Sequence, residues 1–452
     1  MNSATPAVTY RTQAHLAPLT GHVRVPGDKS ISHRSIMLGA LAEGVTEISG
    51  FLQGDDSLNT LRCFRAMGVA ITDPVDGFVR VDGVGLQGLR APTQPLYVGN
   101  SGTSMRLMAG ILAGQPFDTV LEGDESLSRR PMKRVIEPLT QMGAVIESAE
   151  GGRSPLTIRG GQTLRAINYV LPMASAQVKS CVLLAGLYAA GTTCVTEPAP
   201  TRDHTERMLK GFGYAVDRRP ATACVEGGGR LLARAIEVPA DISSAAFFMV
   251  AASIAPKADI TLLHVGMNPT RTGIIDILKL MGADITLHNP RDVGGEPVAD
   301  IQIKSAPLQG IDIPESLVPL AIDEFPVLFI AAACAVGRTV LTGAEELRVK
   351  ESDRIAVMAD GLQKLGINAT PTADGMVIDG RGAQATPFGS AEIWSQGDHR
   401  IAMSFAVAGL RASGTITIHN CEFVETSFPG FAHLFRSLGG GLHDTAEQGA
   451  GA

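Results

Sequence analysis

The residues best suited to chemistry in this sequence stand at the starts of strongly apolar runs. "GDKSISHRSIMLGALAEG" puts Lys29, Ser30, His33 and Arg34 at the entry of one such run, and "GNSGTSMRLMAGILAG" puts Asn100, Ser101, Gly102, Thr103 and Arg106 at a second. Ser175, Gln177 and Lys179 open a third, Asp323 and Glu324 another, and Asp398, His399 and Arg400 the last. Two basic clusters lie between them, Arg129, Arg130, Lys133 and Arg134 in "SRRPMKR", and Arg348, Lys350, Glu351, Asp353 and Arg354 in "LRVKESDR". "TRDHTERM" adds Arg202, Asp203, His204 and Glu206. A helix N-terminus exposes unpaired N–H groups and about half a positive charge, so it accepts anions. Arginine grips phosphate and carboxylate through two parallel hydrogen bonds, and lysine neutralises them as a point charge. Helix starts plus Arg and Lys therefore describe a site for a polyanionic small molecule, while Asp323 in "IDEFP", taken alone, reads as an N-cap. A basic loop is ordinarily a solvated face, Asp203 could be a plain helix cap, and Ser243 and Ser244 in "ADISSAAFF" read as N-capping residues.

Two patterns position these residues. Helix-like runs end in an apolar residue plus glycine at Gly68, Gly143, Gly213, Gly282, Gly366 and Gly439, spaced 69 to 84 residues apart. Glycine just past a helix end fits the left-handed C′ position. In step with it, six very apolar helices start near Ser30, Ser101, Ser175, Ser243, Glu324 and Asp398. Helices apolar nearly all round should be buried, with amphipathic partners such as "SLNTLRCFRAMG" outside. Units of this length are too long for solenoid repeats. They read as six small α+β subdomains in two lobes of three, with chain crossings near "GHVRVPGDK" and "AIEVPADIS". The segment from His15 to Gly21 would pair back with the C-terminal lobe.

Composition narrows the classes. The chain has 452 residues, 45% hydrophobic and 18% charged, too long for one ordinary domain. A net charge of −7 without a basic block argues against nucleic acid as a partner, yet leaves room for a locally basic site. No run is long enough to span a membrane, and the first residues lack the apolar core of a signal peptide. The six cysteines show no CxxC spacing and read as reduced, buried thiols of a cytoplasmic protein. No metal motif, nucleotide-binding loop or nucleophile elbow is present.

"PGDKSISHRS", "GNSGTSMRL", "SRRPM", "SAQVKS", "IDEFPVL", "RVKESDR" and "GDHRIAM", in this order, closely resemble the 5-enolpyruvylshikimate-3-phosphate synthase family over roughly Val23 to Phe431. The resemblance implies an α+β fold of two lobes, each of three βαβαββ repeats with buried parallel helices, an inside-out α/β barrel. One lobe would comprise residues 1–22 and 240–452, the other 23–239, with the active site in the cleft between them. The implied reaction moves the enolpyruvyl group of phosphoenolpyruvate to the 5-hydroxyl of shikimate 3-phosphate and releases phosphate. These two substrates are the implied partners, no cofactor is expected, and the default is a monomer. The resemblance assigns Lys29, Ser30, Arg34, Ser175, Gln177, Arg202, Asp323 and Lys350 to shikimate 3-phosphate. Lys29, Gly102, Arg130, Gln177, Arg354 and Arg400 go to phosphoenolpyruvate, and Lys29, Asp323 and Glu351 to catalysis. Glyphosate, slightly longer than phosphoenolpyruvate, is implied to occupy the donor's place.

Some positions depart from the family pattern: Thr426 where many relatives carry lysine, Glu346 where some carry asparagine, and Leu107 in place of a proline. Gly102 keeps glycine where some tolerant members of the same branch carry alanine. The related UDP-N-acetylglucosamine enolpyruvyltransferases carry a cysteine on the loop before the "RP" arginine, and "GQPFDTVLEGDESLSRRP" has none. A non-catalytic phosphosugar-binding protein on this scaffold would not need Asp323, Glu351 and Lys29 together.

Overall fold

A computed structural model describes residues 7–13 and 18–445. His15 and the other residues of 14–17, and the stretches 1–6 and 446–452 at the ends, lie outside the described residues. The fold is mixed α/β. Its contacts divide the described chain into two units, one drawn from the described residues of 7–26, 240–291 and 297–445, the other from Gly27–Pro239 with Asp292–Glu296. The divisions differ from the expected boundaries at two places. Val23 still pairs with Leu262, and the Pro26 carbonyl accepts from Asp241 N, so residues 23–26 go with the first unit. Residues 292–296, at the tip of the hairpin Asp284–Val293/Glu296–Lys304, go with the second.

The second unit contains three open sheets. One is built on Ala42–Ser49 and Val79–Val84, one on Thr119–Glu122 and Arg153–Arg159, and one on Thr192–Thr196 and Thr222–Glu226. Each mixes a parallel pair with antiparallel neighbours. The helices Lys29–Leu41, Gly102–Leu112 and Ala176–Gly186 supply the core under them, with Met37, Met108, Ile111 and Leu184 essentially out of solvent. Gly110 explains how two of these helices come so close. A Cβ there would lie 2.2 Å from the Cys181 carbonyl oxygen, so any side chain would force the backbones apart. The Asp55–Ala66, Lys133–Gln141 and His204–Gly211 helices carry mixed faces and are only partly buried.

The first unit repeats this economy. Its sheets are built on Asp259–Gly266 and Glu296–Lys304, on Val336–Leu341 and Met376–Arg381, and on Ala391–Trp394 and Ile416–His419. Thr20–Val23 adds to the first of these, parallel to Asp259–Leu262, and Tyr10–Thr12 to the third. The helices Ile242–Ile254, Phe325–Ala333 and His399–Ala408 are buried nearly throughout. Phe248 packs against Phe428, Phe431 and Phe435, closing the core around the last helix. No sheet among the described residues closes into a barrel.

All six glycines expected past helix ends have positive φ, from 80° at Gly213 to 107° at Gly439. The cysteine expectation is corrected in part. Cys63, Cys181, Cys334 and Cys421 are free and buried, but Cys194 and Cys224 form a disulfide. They stand directly opposite on antiparallel strands with Cα atoms 4.1 Å apart. A separation of 30 residues in sequence carries no sign of that register.

Candidate active site

Two clusters gather the residues singled out above, one in each unit. In the second unit the Lys29–Leu41 helix is capped by Asp28, whose side chain accepts from Ile31 N at 2.9 Å. The helix therefore begins at Lys29, one residue before the start expected near Ser30. Its ammonium pairs with Asp56 of the neighbouring Asp55–Ala66 helix, a partner that sequence reasoning missed. Arg34, one turn on, is buried and held on all three guanidinium nitrogens. NH1 donates to the Ser30 carbonyl at 3.0 Å, Nε to Thr205 Oγ1 at 2.7 Å and NH2 to Ser180 Oγ at 2.9 Å. His33 points the other way, onto Thr60 Oγ1 at 2.8 Å. Burial, then Lys29 and Arg34, hold its pKa well below the usual histidine value, so it is a neutral core histidine.

Gly102 is the first residue of its helix, just after Ser101, whose hydroxyl caps Ser104 N at 3.1 Å. Around that helix start, Gln177 accepts from Arg106 NH1 at 2.6 Å and donates to Thr103 Oγ1 at 3.0 Å. Arg130 is directed at Asn100, bonding both its side-chain and its backbone oxygen. Ser175 caps the third helix by accepting from Val178 N. Arg202 lies in the turn before the His204–Gly211 helix. Asp203 takes the N-cap position of that helix, but its carboxylate accepts from Arg207 Nε at 2.8 Å and caps no backbone group.

In the first unit the centre is Arg354, 1% exposed. Its Nε donates to Asp398 at 2.8 Å, its NH2 to Glu351 at 2.6 Å and its NH1 to Asp323 at 3.3 Å. Burial works against that charge, but Asp398, Glu351 and Asp323 outweigh it and raise the pKa above the ordinary arginine value. Lys350 stands 3.4 Å from Asp323 and 2.7 Å from Glu346. Burial lowers its pKa, but the two carboxylates more than compensate, so the net shift is upward. Asp398 caps the last apolar helix through Arg400 N, and Arg400 NH1 donates to the Asp323 carbonyl oxygen at 2.9 Å. Cations and carboxylates thus alternate around one point. Two of the departures are placed: Glu346 is the second carboxylate on Lys350, and Thr426 turns its hydroxyl to the Phe423 carbonyl.

Ser243 departs from the capping role expected of it. Asp241 is the N-cap, accepting from Ser243 N at 2.8 Å, and Ser243 Oγ joins Glu324 to the buried Arg271. Arg271 had no signal in the sequence, because "NPTRTG" resembles any polar turn.

The described residues contain no helix long and apolar enough to cross a membrane. The structure is similar to two structures of EPSP synthase from Acinetobacter baumannii. One, determined at 2.37 Å, superposes with a TM-score of 0.88 at 58% identity, covering 97% of this chain and all of that one. The other has a TM-score of 0.86 at 57% identity over 96% of this chain. Among curated proteins, the chain is 68% identical to the 3-phosphoshikimate 1-carboxyvinyltransferase of Alkalilimnicola ehrlichii, over 94% of this chain and 95% of the relative. It is 65% identical to that of Methylococcus capsulatus, over 93% and 95%. The EPSP synthase (3-phosphoshikimate 1-carboxyvinyltransferase) family matches residues 14–435. An α/β chain this similar to named 3-phosphoshikimate 1-carboxyvinyltransferases is of the enolpyruvyl transferase class. Within that class, this chain belongs to the EPSP synthase family.

Proposed function

We infer that the chain is a working member of its family. It transfers the enolpyruvyl group of phosphoenolpyruvate to the 5-hydroxyl of shikimate 3-phosphate and releases phosphate, a step of the shikimate pathway. The observation that carries the reading beyond family membership is the Arg354 cluster. There the buried Arg354 guanidinium binds both Asp323 and Glu351, Lys350 pairs with Asp323, and Arg400 donates to the Asp323 backbone carbonyl. The two substrates bring two carboxylates and two phosphates together, so several cations must offset their repulsion. Addition removes a proton from the 5-hydroxyl, forms the bond from that oxygen to C2 of phosphoenolpyruvate, and protonates C3. Elimination takes a proton back from C3 and expels phosphate, which needs a proton donor. At least two proton-transfer groups are required.

In this reading Asp323 takes the hydroxyl proton, and Glu351 with Lys29 serves C3 and the leaving phosphate. Lys29, Ser30, Arg34, Ser175, Gln177, Arg202 and Lys350 hold shikimate 3-phosphate. Gly102, Arg130, Arg354 and Arg400, with Lys29 and Gln177, hold phosphoenolpyruvate. Both clusters then serve one reaction. Three sheets and three buried helices in each unit support six βαβαββ repeats, three per unit. A cytoplasmic, monomeric enzyme goes with this reading.

The test is a coupled phosphate-release assay of the purified chain with phosphoenolpyruvate and either shikimate 3-phosphate or UDP-N-acetylglucosamine. Turnover with the first acceptor alone is expected. Turnover with the second, or with neither, would overturn the assignment.

A further inference from the structure

Behind Arg34 lies a group of charges that the reaction does not call for. Lys179 has a side chain 0% exposed, yet its Nζ sits 2.9 Å from Glu197 Oε2 and 2.9 Å from Glu206 Oε1, both carboxylates almost wholly buried. Arg218 closes the group, with NH1 on Glu206 at 2.8 Å and NH2 on Glu197 at 3.1 Å. Two cations and two anions balance. A buried ion group is a poor source of stability, because desolvation opposes the attraction and a packed apolar set of the same volume does as well or better. What it supplies is direction, since each carboxylate is bonded on fixed lines.

The directions lead to two places. Ser180 and Thr205 are the chain neighbours of Lys179 and Glu206, bond each other at 2.7 Å, and both hold the Arg34 guanidinium. On the other side, Thr201 donates its hydroxyl to Glu197 at 2.6 Å, and its carbonyl accepts from Lys179 Nζ at 3.5 Å. Arg202 follows directly. One quartet, buried except for Arg218, thus fixes both the helix pair that aims Arg34 and the turn that carries Arg202.

We propose that Lys179, Glu197, Glu206 and Arg218 are positioning residues for the acceptor, setting Arg34 and Arg202 for the carboxylate and phosphate of shikimate 3-phosphate without touching it. The proposal rests on the assignment of Arg34 and Arg202 to the acceptor. It predicts an effect on acceptor binding that is separable from folding and from the donor. Lys179→Met alone leaves the two carboxylates facing only Arg218, and it can fail to fold for that reason. Lys179→Met/Glu206→Gln restores charge balance without restoring the fixed directions. Thr205→Val removes one hydroxyl from Arg34 and leaves the quartet intact.

The measurements are thermal melting, calorimetric binding of shikimate 3-phosphate, and KM for each substrate. The balanced double variant is expected to melt within a few degrees of the wild type. Its affinity for shikimate 3-phosphate should fall about tenfold or more, while KM for phosphoenolpyruvate in saturating acceptor changes less than about twofold. Thr205→Val should show the same selectivity in smaller measure. Wild-type acceptor affinity in the balanced variant, or equal loss for both substrates, would overturn the proposal. Arg34→Gln and Arg202→Gln are the controls. If neither weakens shikimate 3-phosphate binding, the residue assignment beneath the proposal falls, a result distinct from failure of the quartet variants alone.

Discussion

Gly102→Ala adds one methyl at a place where its consequences can be worked through. A Cβ at position 102 would lie 2.7 Å from Arg106 NH1 and 3.5 Å from Arg130 NH1. The second distance is an ordinary contact; the first requires the Arg106 guanidinium to retreat by roughly 0.7 Å to reach a normal separation. That nitrogen is the one that donates to Gln177 Oε1 at 2.6 Å. A hydrogen bond from a charged donor contributes about 1.5–3 kcal/mol net, and a shift of this size weakens it without breaking it. The expected loss is about 1 kcal/mol at the donor site, or about a fivefold rise in KM for phosphoenolpyruvate. Folding should be nearly unaffected, because alanine is the better helix former and the displaced atom is the end of a flexible side chain.

A double-mutant cycle with Gln177→Ala tests the route. With Gln177 truncated, the methyl should cost less than about twofold. An undiminished fivefold cost in that background would refute the Arg106 argument and leave direct contact with the ligand as the cause. Glyphosate inhibition measured on the same proteins adds a second criterion. The wild type is expected to be inhibited, and a ligand slightly longer than phosphoenolpyruvate should lose more affinity to the methyl than the donor does. Equal losses, or intact inhibition, would show that Gly102 does not line the donor site.

Three other outcomes are expected. Asp323→Asn and Glu351→Gln should each depress turnover by about 10²-fold or more with smaller changes in substrate binding; near-normal turnover in either would remove that residue from proton transfer. Asp398→Asn acts on stability, since Asp398 is fully buried against Arg354 and its loss leaves that guanidinium short of a counter-charge. A cost of about 3–5 kcal/mol, a fall of roughly 10 °C in melting temperature, is expected, and an unchanged melting curve would contradict it. Burial pushes the thiols of Cys63, Cys181, Cys334 and Cys421 up to about 12, so at pH 8 only about one in 10⁴ is thiolate and native protein should resist iodoacetamide. Mass spectrometry should find these four labelled on unfolding, with Cys194 and Cys224 labelled only after reduction.

Much of this protein is legible from local pattern. The six glycines with positive φ end helices because a left-handed residue is needed there, and that need is met within one turn of chain. The all-apolar helices are buried because no face of them can meet water, which composition alone conveys. The site residues stand near helix starts for an equally local reason, since unpaired N–H groups belong to that end of any helix. Even so, the cap of the Ile242–Ile254 helix is Asp241 rather than Ser243, since cap choice depends on the backbone angles leading into the helix. What the tertiary structure alone decided are pairings across long stretches of chain. Lys29 meets Asp56, Arg34 meets Ser180 and Thr205, and Arg354 meets Asp398. Arg271 reaches Ser243, and Cys194 faces Cys224. In each case one residue type would suit many partners. The partner is selected by sheet register and by the distance of closest approach of buried helices, set at points such as Gly110 against Cys181. Those distances are properties of the packed core as a whole, and no window of sequence contains them.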